Sequence, residues 1–376
     1  MNTIFTIGIF MSFFLSLLLV TKKNNFLSDK LLATWMFIIG IHLASYYMYS
    51  IGYWEKYPHL IGTIVPIPLL HGPLLYLYTL YSLRNENSMR KQDYLHIAPS
   101  ILFFLYMCKF YFFYSADEKI MVDNGLLDEH SLFPIFALIS YIISGLTYPV
   151  LSYRLLGIYK TLLNDNFSYD HRISLDWLKY SIWGIGSVYL AVAVISIIRE
   201  GFGVQFSFNA DYIFYSMIVI FVFCIGFFGI RRENLFSEIK TDNKPQLVRE
   251  KPTRDYKKSG LKPEVAREVH QKLKLLMSDS KLYTNPKLTL SELADKVEVS
   301  PNNLSQVINQ YEQVNFHDYV NKYRIDEFIN IAMTNTKFNL FSLALDAGFN
   351  SKSSFNSVFK KHQGVTPSKY IAQLSA

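Results

Sequence analysis

Seven apolar runs, each about twenty residues long, occupy most of the first 230 positions of this 376-residue chain. They lie at roughly 4 to 20, 31 to 54, 60 to 82, 94 to 114, 132 to 156, 177 to 199 and 211 to 230. A helix of about 20 residues crosses the hydrocarbon of a bilayer, where only helices and closed barrels satisfy every backbone polar group. The runs therefore predict an all-α bundle of seven transmembrane helices in residues 1–230.

Positive charge alternates between the segments that flank these runs. The opposite flanks are poorer in lysine and arginine, and one of them, 117 to 129, is acidic. The basic flanks contain Lys22, Lys23, Lys30, Arg84, Arg90, Lys91, Arg154, Lys160, Arg172, Lys179, Arg231 and Arg232. Because basic loops stay in the cytoplasm, the chain is predicted to cross a bacterial inner membrane with its amino terminus outside and its carboxyl terminus inside. The first run has its basic residues after it, the reverse of a signal peptide, and is predicted to be a retained span.

The net charge of +7 lies entirely in the carboxyl-terminal part of the chain. Positions up to 230 hold 14 basic and 14 acidic residues, whereas the rest hold 23 basic and 16 acidic residues. That part is basic enough to bind a polyanion. Within it, residues 231–262 have few apolar side chains and are predicted to be a flexible cytoplasmic linker. The positive charge of this linker is attributed to the membrane topology or to anionic lipid rather than to DNA contact.

A capped amphipathic helix is predicted to begin at Leu290. Thr289 and Glu292 have the spacing of a capping box, and an apolar stripe recurs at i, i+3, i+4 and i+7. That stripe consists of Leu290, Leu293, Ala294 and Val297. A further stripe over 263 to 277 predicts a helix that either packs on this unit or forms a dimerising coiled coil, and packing is favoured.

A second short helix follows after a tight turn, so that 289 to 310 is predicted to be a helix-turn-helix. Ser300 supplies an N-cap oxygen and Pro301 suits the first helical position. The outward face of this helix consists of Asn302, Asn303, Ser305, Gln306 and Asn309. Asn and Gln carry both donors and acceptors, which reading a base edge in the major groove requires.

The same arrangement returns about fifty residues later, over 339 to 362. Gly348 stands at the turn, where glycine adopts a left-handed backbone most easily, Phe349 is expected to fill the angle, and Ser351 caps the following helix. The positions of that helix predicted to be exposed are Lys352, Ser353, Ser354, Asn356, Ser357, Lys360 and Lys361. Of these, Lys352, Ser353, Asn356 and Ser357 are assigned to base edges, and Lys360 and Lys361 to phosphates. A helix from Asn315 to about residue 333 joins the copies and is predicted to hold the two recognition helices about one DNA turn, roughly 34 Å, apart.

Residues from about Leu288 to Tyr370 resemble the AraC/XylS DNA-binding domain. The stretch GFNSKSSFNSVFKKHQGVTPSKY, which begins at Gly348, matches the carboxyl-terminal signature of that family closely. The resemblance covers a little over a fifth of the chain and implies a seven-helix, all-α module, assigned to residues 263–376, with two helix-turn-helix units joined by a linker helix. It implies base contacts by Asn302, Ser305, Gln306, Lys352, Ser353, Asn356 and Ser357.

Two positions depart from the pattern of that family. Ser357 stands where relatives often have arginine, so contact there is expected to be weaker or differently specific. Glu298 occupies the first turn, where glycine is common, and is expected to be slightly strained if its φ is positive.

The third apolar run contains an unusual cluster, whose members are Pro66, Pro68, His71, Gly72 and Pro73. Prolines interrupt helical hydrogen bonding, and a structural kink is the favoured interpretation. The alternative is a ligand-sensing site that includes His71 and Tyr76. His42 and His96 are further candidates for which interfacial or helix contacts are favoured. The sequence has no HExxH, GxSxG or phosphate-binding glycine loop, so no enzyme, metal or cofactor is predicted.

Together these features predict a membrane-integral, one-component transcription regulator. Its expected partners are promoter DNA, the bilayer, RNA polymerase, a second copy of the chain, and a small-molecule or envelope signal of unknown identity. One alternative is a transporter or channel-like membrane protein with a regulatory DNA-binding tail. Another is a tail that binds a protein instead of DNA.

Overall fold

The computed structural model describes residues 2–23, 25–84, 86–127, 132–168, 172–231, 262–334 and 339–374. These ranges are helical and contain no strand beyond one isolated bridge between Phe167 and Thr289, which confirms the all-α prediction. The chain divides into two compact units, Met1–Gly157 with Leu175–Gln246 and Ile158–Ser174 with Leu247–Ala376. The predicted linker falls almost wholly outside the described residues.

Seven α-helices make up most of residues 2–231, and the last turns of the fifth and the first residues of the sixth are grouped with the second unit. They are α1 (Asn2–Val20), α2 (Leu27–Ser50), α3 (Pro68–Leu83), α4 (Ala98–Phe113), α5 (Phe133–Asn166), α6 (Arg172–Ser196) and α7 (Asp211–Arg231). Short helices at Tyr53–Lys56 and Ala116–Asp123 lie in the connections, and a π-helical turn, Ile197–Gly201, follows α6.

Five of the seven predicted spans form helices that are long and apolar enough to cross a membrane. They are Thr3–Val20, Leu27–Ser50, Lys91–Phe113, Phe133–Asn166 and Trp177–Arg199. Asp211–Phe227 is a shorter apolar helix, and the third run is not one continuous helix. The count of seven spans is therefore not confirmed.

The third run is broken by its prolines. Positions 61 to 66 form turns, and α3 begins only at Pro68 and has 16 residues. Two carbonyls near the break accept hydrogen bonds from tyrosine hydroxyls of other helices: Val65 O from Tyr141 at 2.6 Å, and Pro68 O from Tyr189. Because proline lacks an N–H, side-chain donors satisfy backbone groups near the break. The expected interruption is confirmed.

The described part of the carboxyl-terminal region holds seven α-helices, the number that the resemblance implies. They are α8 (Pro263–Asp279), α9 (Leu290–Val297), α10 (Pro301–Glu312), α11 (Phe316–Thr334), α12 (Leu340–Asp346), α13 (Lys352–Gln363) and α14 (Pro367–Leu374). One apolar core is built by α8, α9, α10 and the first half of α11. The second half of α11 forms another core with α12, α13 and α14. Helix α11 is therefore shared by both helix-turn-helix units.

Helix α8 packs on the first core, as the favoured interpretation expects. Ala266, Val269, Leu273 and Met277 are buried, whereas Val265, which belonged to the predicted stripe, is 40% exposed. His270 Nε2 lies 2.7 Å from Glu312 Oε1 at the end of α10. Apolar and polar contacts together therefore fix α8 to the first helix-turn-helix.

We expect Gly348→Ala to destabilise the second helix-turn-helix by about 2–4 kcal/mol more than Gly364→Ala does. Both glycines have positive φ, +97° and +75°. A Cβ at Gly348 would lie 2.4 Å from Tyr283 O, whereas one at Gly364 would meet nothing within 4 Å. Hydrogen exchange in α12 and α13 of the full chain measures the difference. Equal acceleration in the two variants would contradict this close approach.

Candidate nucleic-acid interface

The first helix-turn-helix begins with the predicted capping box. The Thr289 side chain accepts a hydrogen bond from the Glu292 backbone N–H at 3.2 Å, and Glu292 Oε2 accepts one from the Thr289 backbone N–H at 2.9 Å. Helix α9 ends at Glu298, whose φ of 62° is left-handed. The turn therefore has the geometry for which glycine is preferred.

Helix α10 begins as predicted, with Ser300 Oγ accepting from the Asn303 backbone N–H at 3.2 Å. Asn302 is exposed, and Asn303 and Ser305 are partly exposed. Asn309 Nδ2 donates to Ser305 O at 2.8 Å, so part of its hydrogen-bonding capacity is directed at its own helix. Asn302, Asn303 and Ser305 are thus the accessible polar groups near the helix start.

Gln306 differs from the predicted outward orientation. Its side chain is only 9% exposed, and its Oε1 is buried without a hydrogen-bond partner among the described residues. Helical periodicity identifies the face of α10 that packs on its own core. Periodicity gives no information about contacts on the other faces of α10. The prediction of an exposed Gln306 was wrong for this reason.

Helix α13 presents most of its predicted residues to solvent. Ser351 Oγ caps it by accepting from the Ser354 backbone N–H at 3.2 Å. Lys352, Ser353, Asn356 and Lys360 are exposed, and Ser357 is partly exposed. The prediction of an exposed Ser354 was wrong, because Ser354 lies one turn before the buried Val358 and is only 5% exposed. The polar side chains near the helix start suit base edges, and Lys360 near its end suits a phosphate.

Lys361 is exposed but paired. Its Nζ lies 2.6 and 2.7 Å from the two carboxylate oxygens of Asp318 on α11. The hydrogen bond from His317 and the pair with Lys361 hold the pKa of Asp318 well below its ordinary value. Because this carboxylate already balances the Lys361 charge, Lys360 is the better placed of the two lysines for a phosphate. Lys360 has no ion pair within the described ranges.

A buried arginine of α11, which the sequence analysis did not single out, joins several segments of the second unit. The Arg324 side chain is 1% exposed. It donates to Tyr283 O at 2.7 Å, Asn285 O at 2.8 Å, and Ser168 O and Oγ at 2.8 and 2.9 Å. Asn321 Oδ1 lies 3.3 Å from its Nη1. A charged residue in a helix ordinarily indicates a solvated face, so periodicity gave no signal of this role.

The segment that carries Ser168 follows directly after α5 and contacts the first helix-turn-helix. Ser168 Oγ donates to Leu288 O at 2.7 Å, and the Ser168 backbone N–H donates to the same oxygen at 3.2 Å. Asn321 Nδ2 donates to Ser168 O at 3.2 Å. The end of α5 is therefore attached to α11 and to the residue that precedes the capping box.

The two candidate sensing residues lie in different surroundings. His71 is buried in the first unit, bonded to Trp35 and His42, and lines a cavity of about 380 Å³. Tyr76 does not line this cavity. Its ring packs against His96 and Tyr148, with centroids 5.0 and 6.0 Å away. His42, which was expected to make helix contacts, bonds to His71 and also lines the cavity.

The geometry of α8 to α14 is that of a double helix-turn-helix domain, and comparison with known proteins agrees. Residues 293–373 match the family model described as a helix-turn-helix domain. The chain is 29% identical over 83 residues to the melibiose operon regulatory protein of Escherichia coli K12, which is 22% of this chain and 27% of that protein. It is 26% identical over 92 residues, 24% of this chain, to the probable transcription factor PqrA of Proteus vulgaris, of which the match covers 75%.

A third relative is an uncharacterized helix-turn-helix-type transcriptional regulator of Staphylococcus aureus strain COL. It is 32% identical over 114 residues, 28% of this chain and 15% of that protein. The chain thus spans about a quarter of the melibiose regulator and less of the staphylococcal protein. No solved structure matched significantly. These matches support an AraC-type DNA-binding domain at the carboxyl terminus and concern that part of the chain.

We expect Glu298→Gly to stabilise the first helix-turn-helix by about 1 kcal/mol, because glycine adopts a left-handed backbone without the Cβ penalty. The lost ion pair of Glu298 with Lys272 is exposed and contributes little. Hydrogen exchange of α9 and α10 should slow about fivefold. Glu298→Ala is the control, since it removes the ion pair but keeps the Cβ. Equal exchange in the two variants would show that backbone strain is absent.

Proposed function

We propose that this chain is a membrane-integral, one-component transcription regulator that reads promoter DNA with both helix-turn-helix units. The observation that carries the proposal is the pair of recognition helices, α10 and α13, which are built on one shared helix and present polar side chains near their capped starts. Donors and acceptors at these positions suit base edges. The role is regulatory rather than enzymatic, and RNA polymerase and a second copy of the chain are its proposed protein partners.

The proposed base contacts follow the exposure of each side chain. Asn302, Asn303 and Ser305 of α10 and Lys352, Ser353, Asn356 and Ser357 of α13 are the proposed readers. Asn309 contributes only through the groups that its own helix leaves available. Lys360 is the proposed phosphate contact, and Lys361 joins it only if DNA displaces Asp318. Spacing of the two helices by about one DNA turn, roughly 34 Å, remains part of the proposal.

We place the protein in a bacterial inner membrane, with its amino terminus outside and the DNA-binding domain in the cytoplasm. Five helices of suitable length and apolarity support this location, as does the alternation of basic flanks. A reporter enzyme fused after Ala376 tests the topology. Activity of a cytoplasm-dependent reporter agrees with it, and activity of a periplasm-dependent reporter refutes it.

The attachment of α5 to Arg324 offers a route from the membrane-like part to the DNA-binding domain. Residues 158–166 are the last turns of α5, itself a candidate span, and two acceptors of the buried guanidinium belong to Ser168, two residues further on. A movement of α5 that withdraws Ser168 would leave buried donors unpaired, which is costly. A signal that changes the position of α5 therefore biases the arrangement of α11, the helix that both DNA-reading units share.

DNA recognition is tested by gel shift of the full chain in lipid nanodiscs against genomic fragments at two salt concentrations. Affinity should fall steeply with salt while sequence preference is retained. Asn356→Ala should cost about 1–3 kcal/mol and relax specificity, whereas Lys360→Ala should weaken all sequences alike and reduce the salt slope by about 1. Lys179→Ala, in the other unit, is the control. Identical effects of the Asn356 and Lys360 variants would remove the assignment of base and phosphate contacts.

The route through α5 is tested by Ser168→Ala in the full chain. The variant removes one acceptor of Arg324 and should weaken the attachment by about 1.4 kcal/mol, or tenfold in local opening. Hydrogen exchange of peptides covering 283–288 and 321–325 should rise accordingly, and expression from a target promoter should change. Ser140→Ala is the matched control on α5, because the described hydrogen bond of the Ser140 hydroxyl goes to Phe136 O of the same helix. Unchanged exchange at Ser168→Ala would remove the proposed route.

A further inference from the structure

The first unit contains a cavity of about 380 Å³ that is lined by α2, α3, α5, α6, α7 and the turn before α3. Most of its wall is apolar, with Val65, Ala137, Ile185, Val188 and Ile218 among the lining side chains. Pockets of roughly 300–1,000 Å³ with apolar walls and a few fixed polar groups are typical of small-molecule sites. The cavity is therefore large enough for a ligand, and its polar groups define which ligand fits.

Four buried side chains joined in a hydrogen-bonded series supply the polar part of the wall. Trp35 Nε1 lies 3.2 Å from His71 Nδ1. His71 Nε2 lies 2.9 Å from His42 Nδ1, and His42 Nε2 lies 3.3 Å from the Tyr215 hydroxyl. Three of these residues, His71, His42 and Tyr215, line the cavity.

The indole N–H of Trp35 is the first donor in this series and sets the direction of every hydrogen bond in it. An indole N–H can only donate, so His71 Nδ1 must accept and the proton of His71 lies on Nε2. His71 then donates to His42 Nδ1, and the proton of His42 lies on Nε2. Both histidines are therefore neutral, in fixed tautomers. The Tyr215 oxygen accepts from His42, and its own hydrogen remains free to donate.

The free hydroxyl hydrogen of Tyr215 is a donor held in an apolar site. Tyr215 is only 7% exposed and has no other hydrogen-bond partner in the described part of the chain. A buried donor without an acceptor costs about 1–3 kcal/mol. A ligand with an acceptor oxygen at this position would recover that free energy.

The charges on the cavity wall balance each other. Arg199 Nη1 and Asp211 Oδ1 lie 3.5 Å apart, and both residues line the cavity. With both histidines neutral, the described wall carries no net charge. A charged ligand would bring an uncompensated charge into this apolar space, which is costly. An uncharged ligand meets no such penalty.

The cavity extends from one end of the bundle toward its middle. Helix α5 starts at Phe133 and α7 at Asp211, whereas α6 finishes in the turn that holds Arg199, and all three residues line the cavity. This end is opposite to the one at which α7 finishes. In the proposed topology it is the outer end, so the ligand arrives from the periplasm or the outer leaflet.

We propose that this cavity binds an uncharged amphiphile with an apolar body and one acceptor oxygen, such as a ketone, ester or lactone, which accepts the hydroxyl hydrogen of Tyr215. Its role as the signal rests on the proposed regulatory function, whereas the binding site itself does not. A failure of DNA binding would therefore leave the cavity assignment intact, and a failure of ligand binding would leave the DNA-binding assignment intact.

The test is thermal unfolding of the full chain in nanodiscs with three probes of similar chain length: 2-undecanone, undecane and decanoate. The ketone should stabilise the wild type more than the other two probes do. Tyr215→Phe should weaken ketone binding about fivefold to tenfold and make it resemble undecane. Tyr212→Phe, which removes a hydroxyl from the same helix outside the cavity lining, should bind the ketone as the wild type does.

A second variant tests the cavity independently of the hydroxyl. Val192 lines the cavity and is only half-buried, so Val192→Phe should occupy part of the space and reduce stabilisation by the ketone while the protein still folds. Equal stabilisation of the wild type by ketone and alkane would overturn the proposal, as would the strongest stabilisation by decanoate. Undiminished ketone binding in both Tyr215→Phe and Val192→Phe would also overturn it.

Discussion

The second unit depends on the hydrogen bonds that the buried guanidinium of Arg324 donates. A charge removed from water costs several kcal/mol unless its donors are bonded, and the described residues supply no carboxylate for this one. Carbonyl oxygens of Tyr283, Asn285 and Ser168 accept its hydrogens instead. Burial lowers the pKa of Arg324 to about 9, so it stays charged at neutral pH. Each accepting segment must therefore be in place for the domain to be stable.

The position of Arg324 along α11 explains why this one residue contacts several segments of the second unit. Val320 belongs to the first apolar core and Ile325 to the second, so the guanidinium lies at the boundary between them. It also lies over the Phe349 ring, 6.0 Å from the centroid, next to the turn of the second helix-turn-helix. Both helix-turn-helix units and the end of α5 consequently share one set of hydrogen bonds.

Features set by neighbouring residues could be predicted from the sequence, and features set by distant contacts could not. The caps at Thr289, Ser300 and Ser351 depend on residues within three positions, and their predictions were confirmed. The burial of Gln306 and the bonds of Arg324 depend on which segments meet in the fold, which periodicity does not encode. The hydropathy of the third run reflects its apolar side chains and takes no account of the N–H groups that prolines lack. It therefore predicted a longer continuous helix than the one that forms there.

The close approach at Gly348 has a consequence for the DNA that such a domain can read. Backbone atoms of Tyr283 and Thr284 occupy the space of a Cβ, and a 19-residue helix is common to both units, so the described parts of the two helix-turn-helix units pack directly against each other. One base pair inserted between its two subsites would rotate the second by about 35° around the duplex axis. Units packed in this way would not follow that rotation, so the spacer length of an operator would be selected as strictly as its bases.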